Sequence, residues 1–272
     1  MILLEKKSYY KVIPLLGEVT INKLFAKFVV ENKVDGSVYV DNVGNPKSCY
    51  VIHSYGMSLL FGESGDEDFN NGFKYYVLNE LAQTDKVEWM QAYPESWDSV
   101  LKNLFGEELV LASENKSGKV ELNSRVNFKF NLEKYLDKKS PTGSRDQNIQ
   151  KTSRSHFSSM KGSVIPYYFW NSAEDFLENG IGFSALHNGE LASIAYSAFI
   201  DGNKLEIGIE TVEEFRGNGY AKITCEALID YCLINDFEPV WACRLENAGS
   251  YNLAMKLGFE EVNRIPYYKL NN

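Results

Sequence analysis

EIGIETVEEFRGNGYAK, residues 206–222, decides how this chain is read. Leu205, Ile207 and Ile209 alternate with Glu206, Gly208 and Glu210, the period of a β-strand with one apolar face. Arg216-Gly217-Asn218-Gly219-Tyr220-Ala221 breaks that pattern with two glycines, which let a backbone turn tightly and come close to a ligand. From Tyr220 onward the apolar spacing becomes helical, with Ala221, Thr224, Cys225, Leu228, Tyr231 and Cys232 along one side. A strand that enters a glycine turn and then a helix offers unpaired N–H groups and the positive end of a helix dipole. That is a place for a phosphate.

Working outward, residues 182–186 and 191–199 read as strands joined by His187-Asn188-Gly189-Glu190, and Asn-Gly between alternating runs signals a hairpin. A second turn, Asp201-Gly202-Asn203, feeds the strand at 205–212. After the helix come a strand at 239–245, a helix at 248–257 stopped by Gly258, and a last strand running to Tyr268. The order over this half is β-β-β-α-β-α-β. Upstream, Asn171 or Ser172 caps a short acidic helix ending at Asn179-Gly180. Residues 138–160 are polar and poor in apolar groups, and read either as a mobile loop or as polar helical material over a site.

The first half carries signals of its own. Val19, Asn22, Phe25, Ala26 and Val29 repeat at helical spacing, and residues 36–41, 48–54 and 57–62 read as strands. The acidic loop Gly65-Asp66-Glu67-Asp68 caps a helix over 68–82, followed by a strand at 87–92 and a helix at 97–104. Between 113 and 118 the chain turns small and polar, and 120–130 then alternates with period two. These signals predict an α/β chain of the α+β type, with an N-terminal α/β module over 1–115 and a second domain over 116–272.

The 272 residues are 44% hydrophobic and 24% charged, normal for a globular chain with ample core. A formal net charge of −9 argues against nucleic acid or anionic membrane as a partner, since both need basic surface. No run approaches the roughly 18 apolar residues of a membrane span. Met1-Ile2-Leu3-Leu4 passes at once into charge and tyrosine, without the apolar core of a secretory leader. Cys49, Cys225, Cys232 and Cys243 have no metal-ligand spacing and His53, His156 and His187 are scattered, so no metal is expected. The cysteine usage fits a reducing, cytoplasmic setting. The oligomeric state, a homodimer included, stays open.

These residues in this order resemble the GNAT acetyltransferase superfamily over roughly 169–270. The strand, the R-x-x-G-x-A turn and its helix are similar to that superfamily's acetyl-CoA pyrophosphate motif. Asn247-Ala248-Gly249-Ser250 through Leu253-Ala254-Met255-Lys256-Leu257-Gly258-Phe259 resembles its second motif. Residues 36–41, 46–48 and 61–63 extend the likeness to a two-domain group whose N-terminal module is a degenerate GNAT unit. The resemblance implies a C-terminal mixed sheet flanked by helices, and transfer of an acetyl group from acetyl-CoA, as co-substrate, to an amine. It implies that the backbone N–H groups of Arg216, Gly217, Asn218, Gly219, Tyr220 and Ala221 cradle the pyrophosphate. The strand end would bond the pantetheine arm, with the N–H of Thr211 or Val212 aimed at the thioester oxygen. Asn247 is a cap of its helix first and a CoA contact second.

Direct transfer needs a base for the ammonium and an acid for the leaving thiolate. With the isoleucine face buried, the glutamate face is expected to look toward the cleft or solvent, which makes Glu206 and Glu210 candidate bases; both also read as ordinary exposed strand residues. The superfamily often places a tyrosine seven positions after the asparagine, and here that position is Ala254. Ser250 is the candidate acid, with simple bonding to its helix backbone as the alternative; Tyr251 points about 100° away. The Ala254 departure keeps a second class open, an acyl-CoA-binding or regulatory protein without catalysis. A third makes the N-terminal half an interaction module. No motif names the acceptor.

Overall fold

The computed structural model describes residues 1–114, 116–140 and 149–271. The chain forms two compact units: residues 1–125 with 244–246 and 264–272, and residues 126–243 with 247–263.

In the first unit β1 (Ile2–Leu3) and helices α1 (Ile13–Glu18) and α2 (Leu24–Val30) precede β2 (Gly36–Val40), β3 (Ser48–His53) and β4 (Met57–Gly62). Helix α3 (Glu67–Tyr75) leads to β5 (Glu88–Tyr93), then α4 (Ser96–Phe105), β6 (Leu109–Leu111) and β7 (Val120–Phe130). β2, β3 and β4 pair antiparallel. β5 lies parallel to β4 from Met57 opposite Trp89 to Phe61 opposite Tyr93, and α3 supplies the crossover that a parallel pair requires. Within the acidic loop expected to cap α3, Asp66 is the cap, accepting from the Phe69 N–H at 2.8 Å. Phe69 and Phe73 of α3, with Trp97 and Phe105 of α4, pack on Tyr50 and Leu60 of the sheet. The helix expected to reach residue 82 continues past α3 as a π-helical turn, Tyr76–Glu80, and a 3-10 turn, Leu81–Gln83. The buried Glu88 carboxylate takes hydroxyl bonds from both Tyr50 and Tyr76, so the charge is not left unsatisfied.

The second unit contains α5 (Leu132–Lys138), β8 (Ile149–Lys151), α6 (Arg154–Ser159), α7 (Ala173–Asn179), β9 (Gly182–His187), β10 (Glu190–Asp201) and β11 (Lys204–Thr211). It continues with α8 (Tyr220–Ile234), β12 (Glu238–Arg244), α9 (Ala248–Lys256) and β13 (Phe259–Leu270). From β9 onward this is the expected β-β-β-α-β-α-β order. β8, β9, β10 and β11 pair antiparallel in that sequence, and β12 joins β11 in parallel. Of the polar stretch 138–160, residues 141–148 lie outside the described residues. The rest includes β8 and α6, which Ser153 and His156 start with a capping box.

β7 and β13 are divided between the units. The final residues of β13 complete the first unit: Tyr268 pairs with Met90 of β5 and donates its hydroxyl to Asp98 of α4 at 2.8 Å.

Candidate active site

The turn between β11 and α8 follows from local rules. After a 3-10 turn, Glu213–Phe215, Arg216 is extended, and Gly217 and Gly219 take φ of +81° and +86°. That left-handed region is open to glycine at little cost, and Gly219 is the N-cap residue of α8. Asn218 braces the turn, donating from Nδ2 to the Phe215 and Arg216 carbonyls at 3.2 and 3.3 Å. No side chain caps this helix. Among the described residues, none accepts from the N–H groups of residues 217–221; the first helical bonds are those of Lys222 and Ile223 to the Gly219 carbonyl. Five backbone donors are thus gathered at the positive end of a 15-residue helix.

A buried hydroxyl chain fixes the turn to the sheet. Ser193 on β10 donates to the Glu210 carbonyl at 3.0 Å and lies 2.9 Å from Thr211 Oγ1 and 3.2 Å from Thr224 Oγ1. Thr224 donates in turn to the Tyr220 carbonyl at 2.7 Å. His187, exposed in its hairpin turn, still reaches the Tyr220 hydroxyl through Nδ1 at 2.6 Å and packs its ring on Phe215.

Beside this turn β11 and β12 fork. Their register runs from Lys204 opposite Glu238 to Glu206 opposite Val240 and stops there. Val212, one of the two backbone donors expected to face a thioester, gives its N–H to the Ala192 carbonyl at 2.9 Å. Thr211, opposite Ser193, therefore has its N–H on the fork side, where it donates to Glu210 Oε1 at 3.1 Å.

Period two holds along β11, but its glutamate face is not open. Thr211, Ile209 and Ile207, with Ser193, Ala195 and Ser197 of β10 opposite, form the face toward α8. The other face, with Glu206, Gly208 and Glu210, is covered by residues 160–170. Trp170 Nε1 donates to the Ser197 carbonyl at 2.8 Å, and Phe169 packs on Tyr196 and Phe199. Glu206 and Glu210 are each only 7% exposed, which corrects the expectation of a cleft- or solvent-facing glutamate row. Nothing in the strand itself announces a cover supplied from a segment remote in sequence.

The two glutamates differ in surroundings. Glu210 Oε2 accepts from the Ser163 and Val164 N–H groups at 2.8 and 2.9 Å, while Oε1 takes the Thr211 N–H and meets Arg216 Nη2 at 3.4 Å. Glu206 stands at the point where the strands part. Tyr196, fully buried and directly opposite Gly208, lies across it: a Cβ on Gly208 would overlap Cζ and sit 2.7 Å from both Cε atoms. The phenol is thereby delivered to the β11 backbone between Glu206 and Glu210. Sequence reading missed it, because a one-residue bulge in β10 between Ser197 and Phe199 sets the register.

On α9, Asn247 Oδ1 accepts the Ser250 N–H at 3.1 Å, the cap role. Ser250 Oγ accepts from Trp241 Nε1 at 3.2 Å, so the hydroxyl faces β12. Tyr251 donates instead to Glu261 at 2.9 Å, and Ala254 is buried. An open cavity of about 610 Å³ lies beside these elements, lined by Lys138, Lys222, Asn252, Met255 and Lys256. Lys222 is held by Glu226 at 3.3 Å, by the Lys138 carbonyl at 3.0 Å and by Ser140 Oγ at 2.9 Å.

The four cysteines are free and buried; burial pushes the Cys225 thiol well up and that of Cys232 to about 12, so neither is a thiolate at neutral pH. Among the described residues no His, Cys, Asp and Glu group is placed to hold a metal, and no helix is long and apolar enough to cross a membrane.

Comparison with known proteins bears on the family and the fold. YdfB of Bacillus subtilis (strain 168), described as an uncharacterized N-acetyltransferase, is 29% identical over 247 residues, 90% of this chain and 89% of that one. A solved GCN5-related N-acetyltransferase-like protein of Streptococcus suis 89/1591 has TM-score 0.69 at 21% identity, covering 97% of this chain and 98% of that chain. An acetyltransferase from the GNAT family of Colwellia psychrerythraea gives 0.60 at 10% identity, covering 99% and 98%. At such identities these structures speak for the fold alone. The family model for GNAT acetyltransferases matches residues 16–268, nearly the whole length, and the chain therefore belongs to the GNAT acetyltransferase family.

Proposed function

We propose that this protein transfers an acetyl group from acetyl-CoA to an amine by direct attack, with the chemistry in the second unit and a degenerate, non-catalytic module in the first. The observation that carries this reading is the set of unclaimed N–H groups at residues 217–221, opening α8 beside the forked strands. These donors, from Gly217 to Ala221, suit a pyrophosphate, whereas the Arg216 N–H, expected to join them, is given to the Glu213 carbonyl at 3.1 Å. The lysine-lined cavity between α8 and α9 suits the further phosphate of CoA. The Thr211 N–H on the fork side suits a thioester oxygen.

Glu206, at the mouth of the fork, is the proposed base that takes the ammonium proton, directly or through water. Ser250 Oγ, which accepts from Trp241, keeps its own hydrogen for the departing sulfur. Asn247 serves the site through the cap that sets the start of α9. The free, buried cysteines support a reducing, cytoplasmic setting. Ala254, in the place of the superfamily's usual tyrosine, favours one alternative: an acyl-CoA-binding protein that does not turn over.

The experiment is a thermal shift with acetyl-CoA followed by an amine panel read through free-thiol release. At 100 times Kd, acetyl-CoA should stabilise the fold by about 2.7 kcal/mol. Gly219→Val should abolish that shift. Stabilisation without thiol release across the panel favours the non-catalytic alternative, and no stabilisation refutes the acyl-CoA site.

A further inference from the structure

We propose that Glu210 is a positioning residue that couples acyl-CoA binding to the strap at 160–164. The proposal rests on the acetyl-CoA reading above. Its basis is that one buried carboxylate joins two elements far apart in sequence. Oε2 holds the strap through the Ser163 and Val164 N–H groups, at 2.8 and 2.9 Å. Oε1 holds the Thr211 N–H at 3.1 Å and faces Arg216 of the phosphate turn at 3.4 Å. The strap is shaped to this carboxylate. Gly162 takes φ of +149°, and a Cβ there would overlap the Glu210 carboxyl carbon and Oε2. Met160 and Ile165, at either end, are buried and anchor the segment over the glutamate face of β11.

The donors that Oε1 holds are those a CoA thioester and pyrophosphate would use. Arg216 Nε donates to the Thr211 carbonyl at 3.1 Å, and its Nη2 end is free to turn to a ligand, because the side chain is 59% exposed while that of Glu210 is 8% exposed. A ligand that takes Thr211 N–H and Arg216 leaves the carboxylate charge to the strap alone, and charge-assisted bonds to Ser163 and Val164 strengthen. Acyl-CoA therefore tightens the strap. By linkage, a loosened strap frees Glu210 to compete for the ligand's donors and weakens acyl-CoA binding by the same factor. Since the strap covers the face that carries Glu206, acyl-CoA binding firms that wall for the acceptor.

Calorimetry with acetyl-CoA, together with hydrogen exchange of the peptide spanning 160–165, tests this on the full-length protein. Gly162→Ala should weaken acetyl-CoA binding by about fivefold or more. Glu210→Gln, which removes the competing charge, should bind at least as tightly as the parent. The double variant should match Glu210→Gln, because the strap then has no carboxylate to release. Acetyl-CoA should slow strap exchange in the parent and leave it unchanged in Glu210→Gln. Additive losses in the double variant, or parent affinity in Gly162→Ala, overturn the coupling. If acetyl-CoA does not bind the parent, the acetyl-transfer reading and the coupling both fail. The ligand-free comparison then judges the latch alone: Glu210→Gln must speed strap exchange, and equal rates overturn it.

Discussion

Gly208→Ala is the sharpest test of how the candidate site is packed, because two physical effects predict opposite signs. Alanine is preferred over glycine within a strand by about 0.5–1 kcal/mol, so propensity alone makes the variant more stable. The structure sets against this the ring of Tyr196, with both Cε atoms 2.7 Å from where the methyl would go and Cζ nearer still. The ring has nowhere to retreat, since Tyr196 is fully buried and backed by Phe169. Overpacking of this kind costs about 1–3 kcal/mol, and an overlap with a rigid ring belongs at the upper end. The net expectation is a loss of about 2 kcal/mol, or a fall in Tm of roughly 4–8 °C for a chain of this size. Urea and thermal denaturation followed by circular dichroism measure it. In a Tyr196→Ala background, itself less stable by about 3–5 kcal/mol, the same substitution should become neutral or stabilising. A Gly208→Ala protein as stable as its parent would refute the placement of Tyr196 across β11, and with it the view of the Glu206–Glu210 face given above.

Three further expectations follow from the site and its surroundings. Glu206→Gln should lower kcat by about 10²–10⁴-fold with an amine found in the panel and leave acetyl-CoA affinity nearly unchanged; an unaltered kcat removes Glu206 from the proton path. Calorimetry should give one acetyl-CoA per chain, because β4 and β5 stay paired from Met57 to Phe61 and the start of α3 is already capped by Asp66 and lined by Glu67 and Asp68; a stoichiometry of two refutes it. Burial holds His53 neutral with its pKa lowered to about 4, whereas the unfolded chain takes up that proton near pH 6.5. Its contribution is therefore complete above the unfolded value and is lost as pH falls toward 4. His53→Gln should remove about 2–3 kcal/mol of the stability difference between pH 7 and pH 4.5, and equal acid sensitivity of the two proteins would count against it.

How much of this was legible can be traced residue by residue. The acidic loop 65–68 caps its helix as read, through Asp66 and one residue earlier than expected, and of the pair Asn171 and Ser172 it is Ser172 that caps, the two side chains accepting from Phe69 and Asp175. The alternating stretch 120–130 is strand β7, and the sequence of elements after residue 182 was readable in full. The register of β10 on β11 was not. Counting back from the Asp201–Lys204 turn places Ser197 opposite Gly208, but the bulge before Phe199 shifts the pairing by one and brings Tyr196 there. A slip of one residue exchanges the two faces of a strand, so the serine and the tyrosine trade places between α8 and the covered face.

The sequence alone determined what depends on neighbours a few positions apart: the glycine turn between strand and helix at 216–221, the caps, and the two periods of strand and helix. It was enough to point to the family from residues 206–259. Only the tertiary structure decided that the glutamates of β11 are buried, that Glu210 is bound to a strap at 160–164, and that residues 264–272 complete the first unit. Each of these depends on which distant segment covers a given face. A residue's own spacing tells what it prefers to bury, while the partner that does the burying is chosen by the packing of the whole domain.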